Sequence, residues 1–228
     1  MSELWQGLVK AIELIVTLDP EVMEIAGRSL AISVTATLLA TIICLPLGSL
    51  IHFNRFVGKR TLVNLIQTFY SIPTVVVGLL VFLLFSRAGP LGGLNLLFTP
   101  TVMVIGQMVL VTPVLLGLTI SALSGVDKAI TETARSLGAS ELQTVTLVLR
   151  EARFAVIAAV LLAFGRAISE VGLALMVGGN IKGFTRVFTT AISLETSKGD
   201  IELAIALGII LIFIALIINI VLNRLQQR

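Results

Sequence analysis

The sequence predicts an all-α integral membrane protein with five spans, and three observations point there. Hydrophobic residues make up 57% of the 228-residue chain and charged residues only 13%. The mean hydropathy of +1.07 implies more apolar surface than the core of a soluble domain of this size can hide. Apolar stretches long enough to cross a bilayer core of about 30 Å, roughly 20 helical residues, recur along the chain. Helix is the expected form of each, because an isolated strand leaves its backbone polar groups unsatisfied in lipid.

The elements follow in order. Leu4, Trp5, Leu8, Ile12 and Ile15 recur every three to four residues, which predicts an amphipathic helix lying in the membrane interface. Lys10 and Glu13 interrupt this segment and no small-residue cleavage site follows it, so it does not read as a secretory signal. The five spans fall near residues 29–51, 62–86, 99–123, 153–177 and 200–222. Pro46, Pro73 and Pro113 each remove a backbone donor and are expected to kink their helices. Between the third and fourth spans, residues 124–151 are too polar to cross and too patterned to be disordered. Ser124 is placed as the cap of a helix over Val126–Leu137, with Gly138 as its stop. Ser140 and Gln143 form an S-x-x-Q capping box that opens a second helix toward Leu149. The stretch 178–199 opens Gly178-Gly179-Asn180 and turns polar, predicting a loop with a short surface or re-entrant helix. No internal repeat is visible, and residues 1–228 read as one membrane domain.

Charge sets the orientation. With the N-terminus outside, nine lysines and arginines fall in inner segments and six in outer ones, with Arg166 inside a span. That bias supports an N-out, C-in topology in a cell membrane. The net charge of +3 therefore reflects topology and not nucleic-acid binding. The single cysteine, Cys44, lies in an apolar run and reads as a core or lipid-facing residue. One histidine and one cysteine provide no metal-ligating cluster. No G-x-x-x-x-G-K-[ST] sequence occurs, nor any nucleophile elbow or H-E-x-x-H, so the chain is not expected to be an enzyme or to hold a cofactor.

Two constellations remain. In the polar loop stands Glu132-Thr133-Ala134-Arg135-Ser136-Leu137-Gly138-Ala139-Ser140, a short helix with a fixed end. In the fourth span stands Gly165-Arg166-Ala167-Ile168-Ser169-Glu170-Val171-Gly172. A charge at mid-bilayer costs on the order of 2.5–3.5 kcal/mol. Arg166 and Glu170 are four apart and would share a helix face and pair. The pair is either a packing device or part of a face lining a route for an anion, with Arg166 as a brief, weak site. Gly165 and Gly172 would let neighbouring helices approach closely. Tyr70, with Asn64 and Gln67, makes the second span's start polar, through interfacial solvation or a pathway-lining face.

The first constellation resembles the EAA loop of ABC importer permeases, with Thr133 for the middle alanine and Leu149-Arg150 where Leu-Pro is usual. The second resembles the Ala-Arg-Ala-x-x-Glu-x-Gly signature of the sulfate, molybdate and tungstate permeases, with Gly165 for the first alanine. Ala174–Ile181, Ser71–Gly78 and Ser86–Gly92 look like the tungstate branch. The resemblance covers the chain from about Ser29 onward and implies a type I importer core of five helices. It implies that Glu132, Thr133, Ala134, Arg135, Leu137, Gly138 and Ala139 couple to a separate ATPase subunit, which uses the ATP. It places Arg166, Ser169, Glu170 and Gly172 on the translocation pathway. Implied partners are a second copy of the chain, ATP-binding subunits, an extracytoplasmic tungstate-binding protein and membrane lipid. The alternatives are a molybdate or sulfate permease of the same family, a stand-alone channel or secondary transporter, although such transporters usually show internal repeats, and a structural membrane subunit with no conduit, which would leave the Arg166–Glu170 face unexplained.

Overall fold

A computed structural model describes residues 2–226, and every described element is helical. The helices are α1 (Ser2–Val16), α2 (Pro20–Phe53), α3 (Lys59–Thr68), α4 (Thr74–Phe85), α5 (Pro100–Ser124), α6 (Lys128–Ser136), α7 (Glu141–Glu151), α8 (Arg153–Ile168), α9 (Gly172–Gly178), α10 (Phe188–Lys198) and α11 (Ile201–Gln226). Three of them, α2, α5 and α11, are long and apolar enough to cross a bilayer alone. Two bent pairs bring the number of spans to as many as five.

The kink foreseen at Pro73 in the second span is a full break, and the fourth span, read from sequence as one continuous helix through Arg166 and Glu170, is broken as well. Residues 59–71 and 74–85 meet at 98°, and residues 153–168 and 172–178 meet at 60°. At Pro73 the break is decisive, because the helix stops before it and restarts at Thr74. α4 then has only 12 residues, about 18 Å of helix. Pro46 and Pro113 behave differently, since α2 and α5 run through them without interruption. Proline can break a helix, but neighbours decide whether it does.

The 34 residues of α2 make a helix of about 51 Å, which overreaches the hydrocarbon core at both ends. Asp19 caps it, its side chain accepting from the Val22 amide at 3.0 Å. Small residues make a seam where α2, α5 and α8 meet: Ala40, Cys44, Ala163 and Ala167 pack with Val111 and Leu115. Cys44 is fully buried in this seam and does not face lipid. A second cluster joins α4, α5 and α9 through Val77, Val81, Met103, Leu110 and Leu173. Leu173 sits where a Cβ on Gly78 would meet its Cα at 2.9 Å and one on Gly106 its Cδ2 at 2.8 Å. Without those glycines the three helices could not approach so closely.

α1 docks along α11 by Ala11 and Leu14, which share a core with Leu207 and Ile210. The predicted stripe of Leu4, Trp5, Leu8, Ile12 and Ile15 is left exposed on its other side. Of the two forms expected for the helix in 178–199, surface or re-entrant, α10 is not the surface one. Phe188 and Thr190 are completely buried, and the Phe188 amide donates to the Ser29 hydroxyl at 2.9 Å.

The two ends of the bundle are chemically distinct. At one, Glu21 of α2 meets Lys182 at 2.7 Å and Arg186 at 3.3 Å, and Arg28 donates to the Arg186 carbonyl at 3.0 Å. At the other, the His52 ring lies 3.2 Å from the Ser124 hydroxyl, and the α6–α7 pair projects.

Candidate functional site

The projecting pair is built as a rigid bracket. Asp127 caps α6, accepting from the Ala129 amide at 2.9 Å. The expected cap, Ser124, is instead the last residue of α5, where its hydroxyl bonds back to the Ile120 carbonyl at 2.7 Å. Aspartate a few residues beyond the end of α5 is a good N-cap, so the start of α6 shifts to Lys128. Gly138 ends the helix with φ +82°, the left-handed conformation. The Ala139 amide reaches back to the Ala134 carbonyl at 3.0 Å, closing the C-terminal turn. The capping box forms as the sequence predicts: Ser140 N–H donates to Gln143 Oε1 at 2.8 Å, and Gln143 N–H donates to Ser140 Oγ at 3.3 Å. Arg135 and Glu141 pair across the corner at 3.0 Å. At its root the bracket is held by Val148, Ala152, Val156 and Leu123, with Phe53 of α2 against them.

Of the seven residues expected to couple to a partner, Glu132, Thr133, Arg135, Leu137 and Gly138 are exposed. Ala134 is buried and Ala139 half-buried beneath them. Leu137 and Leu142 stand out, 82% and 77% exposed. Both lie on a polar, projecting corner, Leu142 at the rim of an open groove shared with Leu45, Leu50 and Leu149.

The second constellation differs from its expectation. α8 ends at Ile168, so Arg166 and Glu170 are not on one continuous helix. No ion pair links them. Glu170 is buried and turned forward, its Oε1 accepting from the Leu173 amide at 2.9 Å. Its main-chain carbonyl accepts from the Thr189 hydroxyl of α10 at 2.6 Å. The physical reason is local. A 60° break frees backbone groups at both helix ends, and the nearest carboxylate satisfies one better than it would reach a guanidinium behind it. Arg166 is half-buried, and its Nε is enclosed without a hydrogen-bond partner among the described residues. Ser169 is exposed, its hydroxyl returned to the Gly165 carbonyl at 2.8 Å.

The two breaks lie side by side. A Cβ on Gly172 would meet Val75 Cγ2 at 2.9 Å and Thr74 Oγ1 at 3.7 Å, so the first residues of α4 and α9 touch. Gly172 thus permits close approach, whereas Gly165 faces open space, with nothing within 4 Å of where a Cβ would stand. Tyr70, just before the Pro73 break, lays its ring on Gly117 of α5, where any side chain would overlap it. Arg166, Ser169, Glu170 and Gly172 are therefore gathered at one pair of broken spans, but in two roles. Glu170 and Gly172 hold the break, while Arg166 and Ser169 lie on its less buried side. Sequence reasoning missed Thr189 as the clamp on the break. The signal for the cap was available, because Glu170 stands three residues before Leu173 across a glycine.

Comparison with known proteins agrees with this architecture. The chain is 43% identical to the tungstate uptake system permease protein TupB of Peptoclostridium acidaminophilum, over 100% of both chains. It is 38% identical to the protein of that name in Campylobacter jejuni, covering 100% of this chain and 95% of the relative. A probable anion ABC transporter permease of Haloferax volcanii is 42% identical over 90% of this chain and 91% of its own. Among solved structures, an inward-facing MetNI methionine ABC transporter superposes with a TM-score of 0.69, covering 92% of this chain and 98% of that one. At 17% identity, that likeness concerns the fold alone. The family model for binding-protein-dependent transport system inner membrane components matches residues 27–228, and the chain belongs to that family.

Proposed function

We propose that this chain is the membrane-spanning permease subunit of an ATP-driven importer that carries an oxyanion, tungstate above others. The observation that carries the reading is end-to-end similarity to two tungstate uptake permeases. Two copies of the chain pair around a central route, with the N-terminus outside and the α6–α7 bracket in the cytoplasm. Hydrolysis of ATP belongs to separate subunits, and an external binding protein delivers the cargo.

The geometry supports a division of labour. Glu132, Thr133, Arg135, Leu137, Gly138 and the residues beneath them form the surface an ATPase subunit grips. A bracket fixed by a capping box and a buried root passes a push into the bundle, where a floppy loop would absorb it. The root joins α7 to α8, and α8 leads to the break at Ser169–Val171. Arg166, which pairs with no carboxylate among the described residues, attracts a passing dianion, and its single contact is weak enough to release it. ATP and loaded binding protein must each favour the outward-open form, since a ligand shifts an equilibrium only by its differential affinity.

The test is reconstitution of the chain with its ATPase subunits and binding protein in vesicles. Tungstate is expected to stimulate hydrolysis and to accumulate more than molybdate or sulfate. A preference for another oxyanion would replace the cargo and keep the importer. Failure of any ATPase subunit to associate would remove the importer reading itself.

A further inference from the structure

The corner between α2 and α3 carries a concentration of positive charge that transport through the breaks does not use. After Phe53 the chain runs Asn54-Arg55-Phe56-Val57-Gly58 and enters α3 at Lys59-Arg60. Gly58, at φ +87°, makes the turn. Arg55, Phe56, Val57 and Arg60 are all exposed, Val57 completely. Lys59 fixes the corner, its Nζ donating to the His52 carbonyl at 2.6 Å and the Asn54 carbonyl at 3.1 Å. Beside it lies an open groove of about 640 Å³, lined by Phe56, Lys59, Arg60, Asn64, Ile120 and Ser124 among others, with no carboxylate.

Charge separates this corner from the bracket at the same end. No aspartate or glutamate occurs between Glu24 and Asp127, so nothing nearby in sequence compensates the three cations. The bracket, by contrast, balances Lys128, Arg135, Arg150 and Arg153 with Asp127, Glu132, Glu141 and Glu151. A balanced surface suits a protein partner, while a purely basic one with an aromatic and an aliphatic tip suits an anionic bilayer surface. Depth agrees. Arg28 is the last charged residue before the apolar stretch of α2, and a core of about 30 Å is crossed in roughly 20 residues of helix. The helix thus leaves the hydrocarbon a few residues before Asn54, and the corner falls at the level of lipid phosphates.

We propose that residues 54–60 and the adjoining groove form a binding site for the headgroup of an anionic phospholipid in the leaflet on the α6–α7 side. Arg55 and Arg60 hold the phosphate, Lys59 adds charge while pinning the corner, and Phe56 and Val57 rest against the upper acyl chains. The site anchors the α2–α3 corner to the bilayer while the neighbouring bracket moves.

The experiment uses the whole chain in vesicles, with Trp5→Phe removing the single native tryptophan and Val57→Trp placing an indole at the exposed tip. Brominated phosphatidylglycerol is expected to quench that indole with an apparent affinity on the order of tenfold above brominated phosphatidylcholine. The preference should shrink in high salt, and Arg55→Gln and Arg60→Gln should each lower it by roughly fivefold. The unsubstituted chain provides an independent readout: native mass spectrometry from mixed vesicles should retain phosphatidylglycerol over phosphatidylcholine, and the two glutamine variants should not. Equal quenching by the two lipids would overturn the proposal. So would displacement by inorganic phosphate, which would indicate a free-ion site, or loss of quenching when ATPase subunits bind, which would assign the corner to that partner.

Discussion

The Thr189 hydroxyl donates to the main-chain carbonyl of Glu170 at 2.6 Å, and both residues are buried. With the Glu170 carboxylate accepting from the Leu173 amide, one residue has its carbonyl and its side chain both engaged at the break between α8 and α9. In a membrane such groups find partners within the protein or carry a large penalty. The break is thus a built feature, with α10 brought inward to complete it.

Removing that donor tests the clamp. Thr189→Val keeps the shape and leaves the Glu170 carbonyl unsatisfied, at a cost of about 1–3 kcal/mol. The thermal unfolding midpoint of the detergent-solubilised protein should fall, and Thr189→Ser should restore most of it. An unchanged midpoint in the valine variant would show that the bond does not hold the break.

Arg166 and Glu170 should act independently. A contacting charge pair gives a coupling of about 0.5–3 kcal/mol in a double-mutant cycle. For Arg166→Ala with Glu170→Gln we expect less than about 0.5 kcal/mol, measured by unfolding. Arg166→Ala alone should leave stability near the parent value and slow uptake, while binding of cargo to the external protein is unaffected. Strong coupling would restore the ion pair that the sequence spacing suggests.

These two residues also show where sequence was informative. The apolar runs marked the spans, since hydrocarbon imposes length and composition on any helix that crosses it. The capping box at Ser140 and the stop at Gly138 were legible because they depend on residues three or four apart. Which proline would break its span was not, because hydropathy is blind to direction: Pro73, Pro46 and Pro113 read alike, yet only Pro73 ends a helix. The Arg166–Glu170 spacing assumed a helix that stops between them. Thr189 lies 19 residues from the carbonyl it serves, beyond the reach of any local pattern.

Gly138→Val should separate hydrolysis from transport. No atom lies within 4 Å of a Cβ at this position, so the obstacle is the backbone, which at φ +82° strains a β-branched residue. Strain of about 1–3 kcal/mol would re-aim the end of α6 without disturbing the buried spans. The assembled transporter should retain basal ATPase activity but lose most of its cargo-stimulated component and its uptake. Preserved coupling would mean that the angle of the bracket does not matter.

Two glycine-to-alanine substitutions should move stability in opposite directions. At Gly78 the added methyl meets Leu173 Cα at 2.9 Å and Met176 Sδ at 3.2 Å. The thioether can move, but Leu173 cannot easily retreat: it is completely buried, contacts Gly106 of α5 closely, and its amide is held by Glu170. α4 and α9 must therefore part, at a cost of about 1–3 kcal/mol. At Gly165 the methyl enters open space within α8, and alanine should stabilise the helix by about 0.5–1 kcal/mol. Unfolding midpoints of the two variants should fall and rise respectively. If Gly165→Ala raises the midpoint and yet lowers uptake, the open side of α8 beside Arg166 is a working surface, contacted by cargo or by a second copy during the cycle. If uptake is unchanged, the open side of α8 at Gly165 is not such a surface.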